Sequence, residues 1–325
     1  MVQLHQNALC SAYTKPFPGL GGLNRVIESV LSIYVPIALM VLMFGMGLQL
    51  VGMDWARLLR SPKAVWVGLI GQFMLMPFIA FSLVLFLSLP VELAAGIVIL
   101  AACPGGIGSN SISLLVGADI ALSVTLTALS SVLALLTVPI IVGLGLVLIN
   151  FETESISQAN EIRLPLATTI KQLLLVMVLP LSAGMVVRRY ARRFAQNSER
   201  WFRFGNLLVL LVLLLGAFAV GLDFLLDNFI VLVSVALVLN LGSLLGGFLL
   251  ARIFGLASRQ RLTIAIETGI QNVGVGMLIA LNVLHKPDWI VVPGVYSIVM
   301  MLTSFTLIAL YRFTGPTIKP GSGPA

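Results

Sequence analysis

The chain of 325 residues is 59% hydrophobic and only 10% charged, with a mean hydropathy of +1.09. Soluble domains run at about 25% charged residues, so most of this surface must face lipid. The net charge of +7 does not point to nucleic acid, because the basic residues fall in short connectors between apolar runs and not on a soluble face. Cys10 lies in the N-terminal segment and Cys103 inside an apolar run, a pattern that fits neither a disulfide scaffold nor a metal site.

In chain order, residues 1–26 are polar and contain Gly and Pro, with no apolar stretch before a small-residue cleavage site; they read as an extracytoplasmic segment without a secretory signal. Apolar runs then predict nine membrane-spanning helices, at roughly 27–51, 63–89, 91–117, 119–150, 163–188, 203–222, 228–252, 259–284 and 288–313. Residues 314–325 read as a cytoplasmic tail. The fold class is therefore an all-α polytopic membrane protein.

Lys and Arg set the expected orientation, because cytoplasmic loops carry their excess. With the N-terminus outside, Arg57, Arg60, Lys63, Arg188, Arg189, Arg192, Arg193, Arg200, Arg203, Arg252, Arg259, Arg261, Arg312 and Lys319 lie inside. The other side holds Lys15, Arg25, Arg163, Lys171 and Lys286 with most of the connector carboxylates. The expectation is a protein of the cell (inner or plasma) membrane, N-terminus outside and C-terminus inside.

Two spans contain their own interruptions. The third carries Cys103-Pro104-Gly105-Gly106-Ile107-Gly108-Ser109-Asn110, where Pro104 removes a donor and the glycines weaken the helix. The eighth carries Glu267-Thr268-Gly269-Ile270-Gln271-Asn272-Val273-Gly274. Irregular backbone at mid-membrane depth is tolerated where it lines a cavity or is buried in protein, and it marks binding sites in secondary transporters. An offset of five spans reverses direction through the membrane, so spans one to four and six to nine form two inverted repeats. In span seven, Gly242 and Gly246 read instead as small-residue helix packing.

Of the acidic residues, Glu267 alone falls deep inside a span, and every Lys and Arg lies in a connector or near a span end. A buried carboxylate then needs a proton or a bound cation. Gln271 follows Glu267 by one helical turn, Ser123 and Thr127 share a face of span four, Ser109 and Asn110 open the second half of span three, and Gln72 adds a carboxamide in span two. Neutral oxygens around one carboxylate, without His or Cys, suit a hard cation and not a transition metal. Two monovalent cations on one carboxylate would leave a positive site that an anion completes, coupling the two ligands.

The stretches Phe44-Gly45-Met46-Gly47-Leu48, Gln72 to Pro77, Cys103 to Asn110, Ala121-Leu122-Ser123 with Thr127, and Glu267 to Asn272 together resemble the bile acid:sodium symporter family. The resemblance implies two crossed, broken helices in a core domain and a panel domain that moves against it. The core would comprise spans at about 63–150 and 228–313, and the panel spans at about 27–51, 163–188 and 203–222, with spans two and seven open to either. It implies two sodium sites, one of Ser109, Asn110, Ser123, Thr127 and Glu267. The other would use Gln72, Glu267 and Gln271 with the carbonyls of Thr268 and Ile270. An organic anion, bile-acid-like or a small carboxylate, would bind near Gly106, Ile107, Gly108, Asn272, Val273 and Gly274. The competing readings are a proton-coupled or efflux carrier of a small anion, a non-transporting receptor, and an intramembrane enzyme, against which the spans offer no His and Asp119 lies in a short connector with no obvious second carboxylate beside it in the sequence.

Overall fold

The computed structural model describes residues 21–50, 62–87, 89–153 and 163–314. The segment 1–20 with Cys10 and Lys15, the connector holding Arg57 and Arg60, that holding Glu154 and Glu161, and the tail 315–325 with Lys319 lie outside the described residues.

Those residues are helical almost throughout. The helices are α1 (Gly21–Gln49), α2 (Pro62–Phe86), α3 (Val91–Ala102), α4 (Gly108–Leu115), α5 (Ile120–Thr153) and α6 (Leu166–Tyr190). They continue with α7 (Arg192–Val220), α8 (Leu222–Asp227), α9 (Phe229–Ile253), α10 (Ser258–Gly269), α11 (Val273–Leu278, extended by a π turn over Ile279–Val283) and α12 (Val291–Thr314). Among the described residues, six helical runs are long and apolar enough to cross a membrane. The remaining predicted spans are the interrupted pairs α3/α4 and α10/α11, and α7, whose apolar part is Leu208–Val220. Helix α7 starts well before the expected residue 203, because the basic stretch from Arg192 continues the same helix.

Proline shapes two of the long helices in the same way. Inside α2 a π turn over Gly71–Leu75 precedes Pro77, and inside α6 a π turn over Leu174–Val178 precedes Pro180. Proline lacks the N–H of the α pattern and crowds the carbonyl four residues back, and a single wide turn relieves both. The α2 turn carries Gln72 into the protein interior, where it is 3% exposed.

Helix α3 is buried on every side from Leu93 to Ala102, as expected of a helix that is apolar all round and sits at the centre of a bundle. Small residues let its neighbours close in. A Cβ added at Gly96 would lie 2.5 Å from Val292 of α12, and one at Gly145 of α5 would meet Val98. Gly246 of α9 abuts Leu75 of α2 in the same manner, and Gly247 abuts Thr268 of α10. The small-residue packing expected of span seven is thus found against α2 and α10. Helix α1 packs against α6 and α7, with Gly47 and Gly184 at the closest approach. Helices α3, α5, α9, α10 and α12 pack around one another, and α11 reaches α1.

Candidate functional site

The two broken spans cross at their interruptions. Cys103, which precedes proline and is thereby pushed from helical backbone, ends α3 at φ −66 and ψ 148. Ile270 ends α10 at φ −106 and ψ 105. Between these ends Gly105 and Gln271 form an isolated antiparallel bridge. Gly106 N donates to Ile270 O at 2.9 Å, and Asn272 N donates to Pro104 O at 2.9 Å. These bonds satisfy backbone groups that lipid could not. Gly106 has no room for a side chain, because an added Cβ would lie 2.7 Å from the backbone oxygen of Gln271; one at Gly105 would press on the Glu267 carboxylate, 2.8 Å from Oε2.

Glu267, on the last turns of α10, is 3% exposed and directs its carboxylate into this crossing. Ser109 Oγ, at the start of α4, donates to Glu267 Oε1 at 2.5 Å. Ser123 Oγ donates to the same oxygen. Thr127 Oγ1, one turn along α5, lies 3.1 and 2.9 Å from the two carboxylate oxygens. Asn110 Oδ1 completes the group, 2.9 Å from Ser123 Oγ and 3.4 Å from Thr127 Oγ1. Oxygens in this cluster outnumber hydroxyl protons, so lone pairs converge on a small volume around one carboxylate, an environment suited to a hard monovalent cation.

Gln72 and Gln271 meet on the other flank of the crossing. Gln72 Nε2 donates to Gln271 Oε1 at 2.8 Å and to the carbonyl of Cys103 at 3.0 Å. Gln271 Nε2 donates to Thr268 O at 2.9 Å. The polar side chains singled out in the sequence for cation binding are thus all buried at the crossing, in two hydrogen-bonded groups: Ser109, Asn110, Ser123 and Thr127 around Glu267, and Gln72 with Gln271 beside the carbonyl of Thr268.

The stretch expected near the anion also borders α1. Ile107 lines a cavity of about 80 Å³ with Leu42, Gly45, Met46, Gln49, Ser111 and Phe202. A Cβ on Gly274 would lie 2.8 Å from Leu39 of α1. The rings of Phe44 and Phe202 close over this region at 6.0 Å between centroids.

Sequence reasoning passed over several participants. Ser130 Oγ accepts Gly105 N at 3.3 Å, and Ser113 Oγ donates to Ser123 Oγ at 3.3 Å. Ser113 repeats Ser109 after one turn of α4, and Ser130 continues the hydroxyl run Ser123, Thr127 on α5, so the helical period could have found both. Asp119, considered for intramembrane chemistry, accepts Leu122 N at 3.1 Å as a helix cap, and its backbone exchanges hydrogen bonds with the hydroxyl of Thr263.

The profile described as "Sodium Bile acid symporter family" matches residues 36–228. The chain belongs to the sodium bile acid symporter family. This symporter family member is thus a polytopic membrane transporter and not an enzyme. It is 31% identical to the sodium-dependent transporter YocS of Bacillus subtilis over 86% of this chain and 83% of that protein. It is 26% identical to the ileal sodium/bile acid cotransporter of Mus musculus over 89% of this chain and 81% of that protein. Among solved structures, the sodium proton antiporter MjNhaP1 from Methanocaldococcus jannaschii aligns with a TM-score of 0.58 at 15% identity, over 90% of this chain and 86% of that one, a likeness of fold.

Proposed function

We propose that this protein is a sodium-coupled symporter of an organic anion working by alternating access. The observation that carries the reading is the carboxylate of Glu267, buried at the crossing and surrounded by the hydroxyls of Ser109, Ser123 and Thr127. An ionised group at that depth demands a counter-charge, and a sodium ion among neutral oxygens supplies one. One ion would be held by Ser109, Asn110, Ser123, Thr127 and Glu267. A second would be held by Gln72, Glu267 and Gln271 with the carbonyls of Thr268 and Ile270. Relatives named as sodium-dependent or sodium/bile acid transporters support sodium as the driving ion.

Two cations on a single carboxylate leave a positive site, and an organic anion between Gly106–Gly108 and Asn272–Gly274 restores balance. That face borders α1, and the cavity beside Ile107 and Phe202 lies along the same seam. Helices α1, α6 and α7 would form the panel and the helices around the crossing the core, rocking about the seam to expose the site to each side in turn. The positive-inside bias assigns the N-terminus to the outside of the cell membrane.

The test is uptake into proteoliposomes of labelled taurocholate and, separately, pantoate, under an inward sodium gradient or an equal potassium gradient, with Glu267→Ala alongside. Sodium-dependent uptake abolished by the substitution is the expected result. Uptake that ignores sodium and follows a proton gradient would overturn the coupling and favour the proton-coupled reading.

A further inference from the structure

The end of α10 releases three backbone carbonyls, of Thr268, Gly269 and Ile270, and the structure treats them unequally. Gly269 O accepts two hydrogen bonds, from Asn240 Nδ2 at 2.8 Å and from the hydroxyl of Tyr296 at 2.8 Å. Asn240 Nδ2 also donates to the Tyr296 hydroxyl at 3.2 Å, and Asn240 Oδ1 accepts Thr303 Oγ1 at 2.7 Å. Asn240 and Tyr296 are both wholly buried. Every polar group in this triangle is thereby used, and both lone pairs of Gly269 O are occupied. Thr268 O and Ile270 O, by contrast, accept Gln271 Nε2 and Gly106 N, a bond each.

The local two-fold axis of the crossing gives this arrangement a counterpart. The antiparallel bridge pairs Gly105 with Gln271, so Cys103, two residues before the first, corresponds to Gly269, two before the second. The carbonyl of Cys103 accepts a carboxamide from the second span of its repeat, Gln72 of α2. The carbonyl of Gly269 accepts a carboxamide from the equivalent span, Asn240 of α9. The two then diverge: Gln72 reaches onward to Gln271 in the candidate site, whereas Asn240 is closed off by Tyr296 and Thr303.

We infer that Asn240 and Tyr296 are positioning residues for the cation site. By clamping Gly269 O on the side of α9 and α12, they hold the end of α10 so that the carbonyls on either side of it face the crossing, Thr268 O toward Gln271 and Ile270 O toward Gly106. The carbonyl of Gly269 lies in the rigid peptide plane that joins the last helical residue to Ile270 in extended backbone, so holding it fixes where the helix ends and how the chain leaves it. The inference rests on the sodium reading above, to which it adds the residues that hold the backbone ligands in place.

The experiment measures the sodium concentration giving half-maximal uptake in proteoliposomes for the wild type, Tyr296→Phe, Asn240→Ala and Thr303→Val. Tyr296→Phe keeps the ring in its slot and removes a single hydroxyl, so it isolates the clamp from folding. It is expected to raise half-saturating sodium about fivefold, the scale of one lost buried hydrogen bond, with the maximal rate at saturating sodium held within about twofold of wild type. Asn240→Ala shifts it further in the same direction. Thr303→Val, which leaves both donors to Gly269 O, stays near wild type. Sodium-dependent wild-type uptake with half-saturation unchanged in both Tyr296→Phe and Asn240→Ala overturns this assignment alone, as does a fall in maximal rate at unchanged half-saturation. Wild-type uptake indifferent to sodium overturns the symport reading and the assignment with it.

Discussion

Thr127 shows how much of the site is carried by single atoms. Its hydroxyl lies 3.1 and 2.9 Å from the two Glu267 oxygens and 3.0 Å from Ser123 O, so its one proton serves one of these acceptors at a time. Thr127→Val keeps the side-chain volume and deletes the hydroxyl alone. In the proposed first site its oxygen is a ligand of the ion, and one contact to a buried charge is worth about 1.5–3 kcal/mol, so half-saturating sodium should rise by roughly tenfold or more while purified protein remains monodisperse. The comparison is uptake against sodium concentration in wild type and Thr127→Val, and superimposable curves would remove Thr127 from the ion's ligands. Cys103 makes the opposite point: it is wholly buried at the break, its thiol donates to Ile99 O at 3.2 Å, and it acts as a small packing residue.

At the scale of elements, the seam between α1 and α6 depends on two glycines facing each other. A Cβ on Gly184 would strike the carbonyl of Phe44, and one on Gly47 would strike that of Leu181. Backbone cannot move aside as a flexible side chain can, so Gly184→Ala is an overpacking substitution, expected to cost about 1–3 kcal/mol. Gly143 on α5 has nothing within 4 Å of its added Cβ. There Gly143→Ala should be neutral or stabilise by about 0.5–1 kcal/mol through helix propensity. Thermal denaturation of the detergent-solubilised protein distinguishes the two: the first variant melts lower than wild type and the second does not. Equal melting temperatures would mean that α1 and α6 have room to separate without loss.

At the scale of the whole molecule, the arrangement makes a prediction about charge. Two sodium ions entering with one monovalent anion carry one net positive charge inward. A membrane potential of 100 mV, negative inside, favours that movement by about 2.3 kcal/mol. Imposing such a potential with a potassium gradient and valinomycin should accelerate uptake of a monovalent anion several-fold, whereas dissipating it should slow uptake. Insensitivity to potential would mean that only one sodium ion accompanies each anion, or that the anion is divalent.

The amino-acid sequence by itself determined the parts of this protein whose causes are local. Long apolar runs specify helices wherever lipid is the solvent, and proline with clustered glycine interrupts a helix whatever surrounds it. The spans, the two breaks and the lone mid-membrane carboxylate were therefore legible, as were Gln72, Ser109, Asn110, Ser123, Thr127 and Gln271 as its polar company. The family resemblance then supplied the crossing of the broken spans. Tertiary structure alone decided their register, which pairs Gly105 with Gln271, and the clamp of Asn240 and Tyr296 on Gly269. In the sequence Asn240 is one more polar residue in an apolar helix, 29 residues from the carbonyl it holds. Its role follows from which faces of α9, α10 and α12 meet, and that depends on small-residue packing among helices distant in the chain, which no local periodicity encodes.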